Sequence, residues 1–577
     1  MLLRVVRALL LTGLGVLALA ALFDAAAIHG GYKLPYQGVR HVPQLELVFY
    51  LWYAVWGGIA VVCFAGALYE TFAQRLVAWF KRCASQPRPW LVLSGLAAFV
   101  SALVFRHAVL LEQPIADDEL VYQFSARSLS LGRLTGPPPL DASFLQNTFM
   151  IVDAGHWHGK YPLGHALLLA PFENIGRSDL MGPLLAMASI ALTYFVALRF
   201  VGAAPALLAV CLLVCSPHFV WTHATLMSQT TSGLLMLLAV FAFLRHAETS
   251  QRRWLVLMGA SLGYGILTRP LPGVLITAVV LGAQLQAAFA RERSPRRMLR
   301  EASAWLPGLL LFVSLVPLTN YLQSGSPWTT GYREVHATYG AFQNFDGELT
   351  NSLGGALVRE NVWLFGWPCS LLFVPFARLQ RLRVFFWLLV ATTLVYRMIV
   401  PKTVVTTTGP IYVTEVVPFL CMASAAGVAH AVVLLRRLGD ASAERRVAAV
   451  VGASFIVAAL GFARVELPAI YDGAQARIQI EELLHGGRIE RAVVFGGYAV
   501  MPTSGRTWAT AFPNPWPDLR DEILYLRVPA APDGFERAHK LWRERFSDRP
   551  ALVYDVRDQA HPLVPLQSFV HAELAAH

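Results

Sequence analysis

Long apolar runs alternate along the chain with short polar breaks, most of them basic, and that pattern predicts a row of membrane-crossing helices. A helix needs roughly 17–25 apolar residues to span a bilayer. Runs near that length recur at about residues 5–28, 47–73, 90–111, 180–200, 205–222, 228–245, 254–268, 272–290, 304–321, 361–377, 384–400, 414–435 and 447–463. Leu163–Ile175 is apolar but too short for a comfortable span, and counting it as one would invert every later basic loop; it predicts a juxtamembrane helix on the outer face. From about Arg464 the pattern changes. AVVF at 492–495, EILYLRV at 522–528 and ALVYDV at 551–556 read as short buried strands, and Phe535–Phe546 as an amphipathic helix. The expectation is an all-α polytopic membrane protein of about thirteen transmembrane helices with a small C-terminal α/β domain outside the membrane. Its divisions fall at 1–89, 90–463 with an external loop at 112–179, and 464–577.

Charge supplies the sidedness. Arg75, Lys81, Arg82 and Arg88, the arginines between Arg291 and Arg300, Arg378 to Arg383, and Arg436 and Arg437 all fall on one side of that helix count. The positive-inside rule makes that side cytoplasmic. The N-terminus is then inside, the 112–179 loop and the tail are outside, and the expected location is the plasma (inner) membrane. The first helix follows Arg4 and Arg7, but its apolar core is longer than that of a signal peptide and predicts a retained anchor. Composition agrees: 56% of residues are hydrophobic and 14% charged, with a mean hydropathy of +0.51, where a soluble protein carries roughly a quarter charged. The net charge of +11 lies at helix ends, which points to topology and lipid headgroups and excludes a nucleic-acid stripe. None of the six cysteines falls in a segment placed outside, so no disulfide framework is expected; Cys211 and Cys215, four apart in an apolar helix, read as packing residues.

Candidate chemistry gathers between Pro114 and Phe172. Three consecutive acids, Asp117, Asp118 and Glu119, follow directly on an apolar helix, where an unpartnered carboxylate is costly. If a helix starts near Asp118, then Asp118, Tyr122, Ser125 and Leu129 share one face. Asp118 is the leading candidate for a general base, with Asp117 and Glu119 as catalytic companions. The plainer alternative is that Asp117 or Asp118 caps the helix, which accounts for one acid better than for three. Lys160 is either a functional cation or a snorkelling side chain. His156, His158 and His165 lie near Asp153 and offer weak ligands for a divalent cation, without a standard zinc spacing. His223 reads as structural. Gly496-Gly497 lacks the spacing of a dinucleotide site.

ADDELVYQFSARSLSLGRL resembles the first external loop of the GT-C glycosyltransferases, the superfamily of the protein O-mannosyltransferases and the aminoarabinose transferases of lipid A. The matching positions are Asp118, Glu119, Tyr122 and Gly132-Arg133-Leu134. GKYPLGHALLLAPF, with Lys160 and Tyr161, is similar to a Lys/Tyr-Pro-Pro-Leu segment of these enzymes, with Leu163 replacing the second proline. LTRPLPG, holding Arg269, and TGPIYVTEVVPF, holding Tyr412 and Glu415, resemble later blocks, though Ile411 stands where many relatives have Arg. The resemblance implies inverting transfer of a sugar from a polyprenyl-phosphate donor to a glycan, lipid or protein acceptor. Asp118 would be the base, Lys160 and Arg269 would meet the leaving phosphate, and Tyr122, Tyr161, Tyr412 and Glu415 would line the substrate. It names no obligatory cofactor; a divalent cation is the one candidate. A transporter or flippase of lipid-linked sugar is the rival reading, and it would place ionisable groups inside the bilayer and show inverted repeats.

Overall fold

The structure is a computed structural model, described for residues 2–33, 43–137, 141–145, 149–152, 155, 157–291, 295–338, 360–366, 369–399, 410–496, 512–529, 531, 533–555 and 563–570. In chain order the helices are α1 (Leu2–Lys33), α2 (Pro43–Thr71), α3 (Ala73–Ser85), α4 (Pro87–Ala108), α5 (Asp117–Ser130), α6 (Gly164–Asn174), α7 (Met181–Val201), α8 (Ala203–Val214), α9 (Pro217–Ala224) and α10 (Ser228–Thr249). Then come α11 (Arg252–Thr268), α12 (Pro270–Arg291), α13 (Pro295–Ser324), α14 (Gly331–Thr338), α15 (Arg383–Ile399), α16 (Val417–Arg437), α17 (Ala443–Val465), α18 (Leu467–Gly486) and α19 (Gly534–Arg545).

Among the described residues, nine helices are long and apolar enough to cross a membrane, and a tenth span arises if α8 and α9, bent by 56° at Cys215–Ser216, count as one. The chain is a multi-pass membrane protein. The expected thirteen crossings differ from this for three local reasons. α8 and α9 break where Pro217 opens a new helix capped by Ser216, whose side chain accepts from Phe219 N. α11 and α15 form as expected but reach only 17 residues each. The segment expected to cross at 361–377 does not do so as a continuous helix: helix stops ahead of Gly366, with φ 87°, and among the described residues between there and Ala377 the helical element is a 3-10 turn, Val374–Phe376. Left-handed glycine and Pro375 stop the helix where hydropathy alone would continue it.

Lipid exposure is written into α4. Val92, Leu96, Val100 and Val104 recur every fourth residue on one face and are all at least half exposed, while Gly95, Ala98, Ala102 and Arg106 are buried. An apolar stripe of that length suits lipid rather than water.

Compactness divides the chain into two units, and not where composition changes. One comprises Met1–Val109, Asp179–Ser314 and Phe345–Tyr471; the other comprises Leu110–Ser178, Leu315–Asn344 and Asp472–His577. The first is the helical unit. The second joins the acidic loop and the tail, which the sequence separates into different domains. The second unit contains a two-stranded antiparallel ribbon, β1 (Met150–Val152) with β2 (Trp157–Gly159), and a four-stranded sheet. The sheet order is β4 (Ile523–Arg527), β3 (Ala492–Gly496), β5 (Ala551–Tyr554) and β6 (Leu563–Pro565), with β3 parallel to both neighbours and β6 antiparallel. β3, β4, β5 and α19 fall where alternation and apolar runs place them, whereas the sequence pattern predicts neither β6 nor the β1–β2 ribbon. β3 is buried along its whole length, as a central parallel strand with both faces covered must be. Ile480 and Leu484 of α18 pack with Val494, Tyr525 and Leu552 to form its core. The apolar segment expected at Leu163–Ile175 is α6, of 11 residues.

Candidate active site

α5 begins with the three acids, and each does something different. Ala116 is the N-cap and offers no side-chain acceptor, so the orphan N–H groups of the entry turn need another partner. Glu119 provides it: its Oε1 accepts from Ile115 N at 2.8 Å and from Ala116 N at 3.1 Å, and the residue is fully buried. The capping expected of Asp117 or Asp118 therefore belongs to Glu119. That leaves Asp117 and Asp118 at the helix start, where the macrodipole favours negative charge.

Asp118 accepts a hydrogen bond from the Tyr161 hydroxyl. Tyr161 stacks on Tyr122, one turn after Asp118, with ring centroids 4.8 Å apart, and Tyr122 meets the edge of buried His165 at the same distance. The face shared by Asp118 and Tyr122 is thus closed by the Lys160-Tyr161 segment. Burial raises the Tyr161 phenol well above its usual range, and Asp118 raises it further, so it remains a donor. A carboxylate has about four lone-pair sites, so one phenol leaves Asp118 acceptor capacity for a substrate hydroxyl. Burial pushes Asp117 up to about 6; Arg477 opposes this, Asp118 adds to it, and Lys160 and Arg527 oppose it.

Lys160 is placed by backbone contacts. β2 lies directly on α5 because Gly159 has no side chain: a Cβ there would run into Val121 and come within 3.1 Å of Ser125 Oγ. The next residue, Lys160, donates its N–H to Phe149 O at 3.0 Å. Phe149 adopts φ 64°, a region that an aromatic residue rarely occupies. Its ring centroid lies 3.1 Å from Lys160 Nζ, with the Tyr161 and Tyr332 rings at 4.7 and 5.8 Å. Burial pulls the ammonium down to about 8, with Asp118 and Asp117 opposing. Lys160 is therefore held among aromatic rings and does not snorkel from a helix end.

The Gly132-Arg133-Leu134 stretch has a structural role. Gly132, with φ 70°, is the left-handed residue after α5; its N–H reaches Leu129 O at 2.9 Å and that of Arg133 reaches Ser128 O at 3.0 Å. This pair of bonds is a Schellman motif. Arg133 itself is exposed.

Arg269, Tyr412 and Glu415 come together in the helical unit. Arg269 precedes Pro270, which disfavours helix at the preceding residue and opens the next helix. Its backbone is accordingly extended between α11 and α12. Its guanidinium pairs with Glu415, lies 3.5 Å from the Tyr396 hydroxyl and sits 5.8 Å from the Tyr396 and Tyr412 ring centroids. In the same unit His218 Nδ1 is 2.9 Å from Glu360 Oε2 and its Nε2 is 2.9 Å from Thr414 Oγ1. Both His218 and Glu360 are 1% exposed. Sequence reading missed this pair because the two residues are 142 positions apart and neither sits in a recognisable spacing.

Of the weak cation ligands, Asp153 and His156 lie outside the described residues. His158 is buried, with Nδ1 3.1 Å from Gly159 O and Nε2 3.9 Å from Glu334. Among the described residues no group of three His, Cys, Asp or Glu side chains is arranged to hold a metal ion.

Fold and site together define a multi-pass membrane protein with an acidic helix start outside its candidate spans. Residues 174–321 match the family model described as dolichyl-phosphate-mannose-protein mannosyltransferase. The match covers about a quarter of the chain, including Arg269 but not α5, and it agrees with the GT-C resemblance drawn from the motifs. No curated protein matches. Among solved structures, ArnT from Cupriavidus metallidurans bound to undecaprenyl phosphate is 15% identical, with 81% of this chain and 92% of that one covered and a TM-score of 0.48. The archaeal oligosaccharyltransferase AglB from Archaeoglobus fulgidus, in complex with an inhibitory peptide and a dolichol-phosphate, is 11% identical over 82% and 70%, with a TM-score of 0.42.

Proposed function

We propose that the chain is an inverting glycosyltransferase that moves a sugar from a polyprenyl-phosphate carrier to an acceptor on the extracytoplasmic side. The observation that supports this most is the joining of Asp118, Tyr161, Tyr122 and Lys160 at the start of α5. Asp118 takes the proton of the acceptor hydroxyl. The hydroxyl oxygen bonds to the anomeric carbon as the bond from that carbon to the phosphate oxygen breaks. The carrier phosphate departs with the electron pair, and the Lys160 ammonium meets its charge. Tyr161 holds the Asp118 carboxylate in place, and the stacked Tyr122 and Tyr161 rings present an aromatic wall. Arg269, Tyr412 and Glu415 are assigned to donor binding in the helical unit; a guanidinium has five donors, so pairing with Glu415 leaves it able to serve a phosphate as well. Loop 112–179 and the tail are assigned to the outside.

A second reading, transport of a lipid-linked sugar, draws on the buried His218–Glu360 and Arg269–Glu415 pairs, since ionisable groups within a helical bundle often mark a pathway. Mass spectrometry of surface glycans and glycolipids in a deletion strain separates the two. The transferase reading expects one sugar missing from an otherwise intact acceptor, with its lipid-linked donor accumulating on the outer leaflet. Donor trapped on the inner leaflet supports transport and defeats the transferase reading.

A further inference from the structure

The acidic helix is gripped at its N-terminal end by residues from the far end of the chain. Arg477, on α18, donates from Nη2 to Ile115 O at 2.8 Å, and the same nitrogen lies 3.8 Å from Asp117 Oδ1. One turn later on α18, Glu481 Oε2 accepts from Gln113 Nε2 at 3.1 Å. Asn514, 2% exposed, donates from Nδ2 to Leu120 O at 3.1 Å, and its own carbonyl accepts from Arg127 Nη1 at 3.1 Å. Arg127 also pairs with Glu173 at 3.1 Å and lies over Trp516, 5.3 Å from the ring centroid. All these residues belong to the second compact unit.

The entry turn of α5 is therefore fixed from two sides. Glu119 holds the N–H groups of Ile115 and Ala116 from within the helix, and Arg477 holds the Ile115 carbonyl and the Asp117 carboxylate from outside. Asp118 is the next residue, and its direction follows from the dihedrals of that turn.

We propose that Arg477 is a positioning residue of the acidic site, through which the C-terminal segment fixes the first turn of α5 and the direction in which Asp118 presents its carboxylate. The inference rests on the transferase reading of that site, and it gives the tail a part in the reaction. A planar guanidinium suits the task because it can serve a carbonyl and a carboxylate together, whereas an ammonium is a single point charge. The charged groups facing Asp117 are Arg477 from α18, Asp118 from its own helix, Lys160 after β2 and Arg527 at the end of β4. Among the described charged groups facing Asp117, removing Arg477 leaves Lys160 and Arg527 as the counter-charges.

The test uses full-length Arg477→Ala, Arg477→Lys and Asn514→Ala in lipid nanodiscs. Hydrogen exchange is read at amides 115–122, and transfer is read with a panel of polyprenyl-phosphate sugars and membranes of the deletion strain as acceptor. For Arg477→Ala, exchange at 115–122 rises about tenfold or more and kcat falls about tenfold, the scale of a lost hydrogen bond to a charged group. KM for the donor stays within about twofold, because the lost contact orients a base and does not bind the carrier. The acid limb of the pH profile moves to higher pH, because a cation opposing protonation of Asp117 has gone. Arg477→Lys returns that limb without restoring kcat. A purely structural residue would lower the melting temperature and leave the limb where it was. Wild-type exchange and a wild-type pH limb in Arg477→Ala overturn the proposal. If that variant does not fold, Arg477→Lys decides it, with raised exchange at 115–122 and a lowered kcat supporting the proposal and wild-type values of both overturning it, while Asn514→Ala, which leaves Arg477 in place, keeps the wild-type limb. Should the wild type itself transfer none of the sugars, the transferase reading fails, while exchange at 115–122 still decides whether Arg477 fixes the turn.

Discussion

Lys160 ties a pH response to a single side chain. Its ammonium sits among Phe149, Tyr161 and Tyr332, and burial brings it down to about 8 against the pull of Asp118 and Asp117. The protonated form is the one that can meet a leaving phosphate. From a pKa of about 8, roughly nine-tenths of Lys160 is charged at pH 7, about half at pH 8 and about a tenth at pH 9. Transfer is therefore expected to fall as pH rises through about 8, approaching tenfold per unit above it. Lys160→Met keeps a flexible apolar stem among the rings and removes the charge. A lost hydrogen bond to a charged group is worth about 1.5–3 kcal/mol, so kcat should drop roughly ten- to a hundredfold. Lys160→Arg stays protonated throughout this range, so its basic limb should vanish even if its rate is lower. The assay is initial-rate transfer of labelled sugar from a polyprenyl-phosphate donor in proteoliposomes between pH 6 and pH 10 (a span of about two units either side of the expected limb). A basic limb that persists in Lys160→Arg, or an undiminished rate in Lys160→Met, would refute the reasoning.

Two further outcomes follow from particular contacts. Glu119→Ala strips two buried N–H groups of their acceptor and should cost about 1–3 kcal/mol, read as a lower apparent melting temperature. Glu119→Gln keeps an acceptor oxygen and should retain most transfer; abolition as complete as that from losing Asp118 would contradict the capping role. For topology, Arg133→Cys in a cysteine-free chain should be labelled by an impermeant thiol reagent from outside, and Arg82→Cys should be protected; the reverse pattern overturns the assigned sidedness. Both positions are exposed, whereas native Cys83 is buried and would resist labelling on either side.

Features that depend on near neighbours in the chain were legible in the sequence. Thirteen apolar residues were too few for a crossing, and α6 is indeed a short helix. Pro270 fixed the extended break at Arg269, and β3, β4, β5 and α19 appear within a residue or two of the apolar patterns that predict them. Joining Asp118 and Tyr122 required only the helical period. Features that depend on distant partners were not legible. The Tyr161 hydroxyl reaches Asp118 across 43 positions, and Arg477 reaches Ile115 across 362. Glu119 carries the capping without the usual Ser or Thr at the N-cap, because its side chain alone turns back onto the preceding N–H groups. Hydropathy misjudged 361–377 because it does not register a left-handed Gly366 or Pro375. The tail looked separate by composition, yet its polar side chains are what bind it to the acidic loop.

The central claim is that Asp118 takes the proton from the acceptor, and single-turnover transfer by Asp118→Asn tests it most directly. The amide is nearly the same size and can still accept from Tyr161, so the fold and the Tyr122–Tyr161 stack should survive while the base is lost. General-base catalysis contributes roughly a hundred- to ten-thousandfold. A loss of that order, with normal insertion and unchanged donor affinity, is the expected result. Asp118→Asn turning over at the wild-type rate would contradict the account.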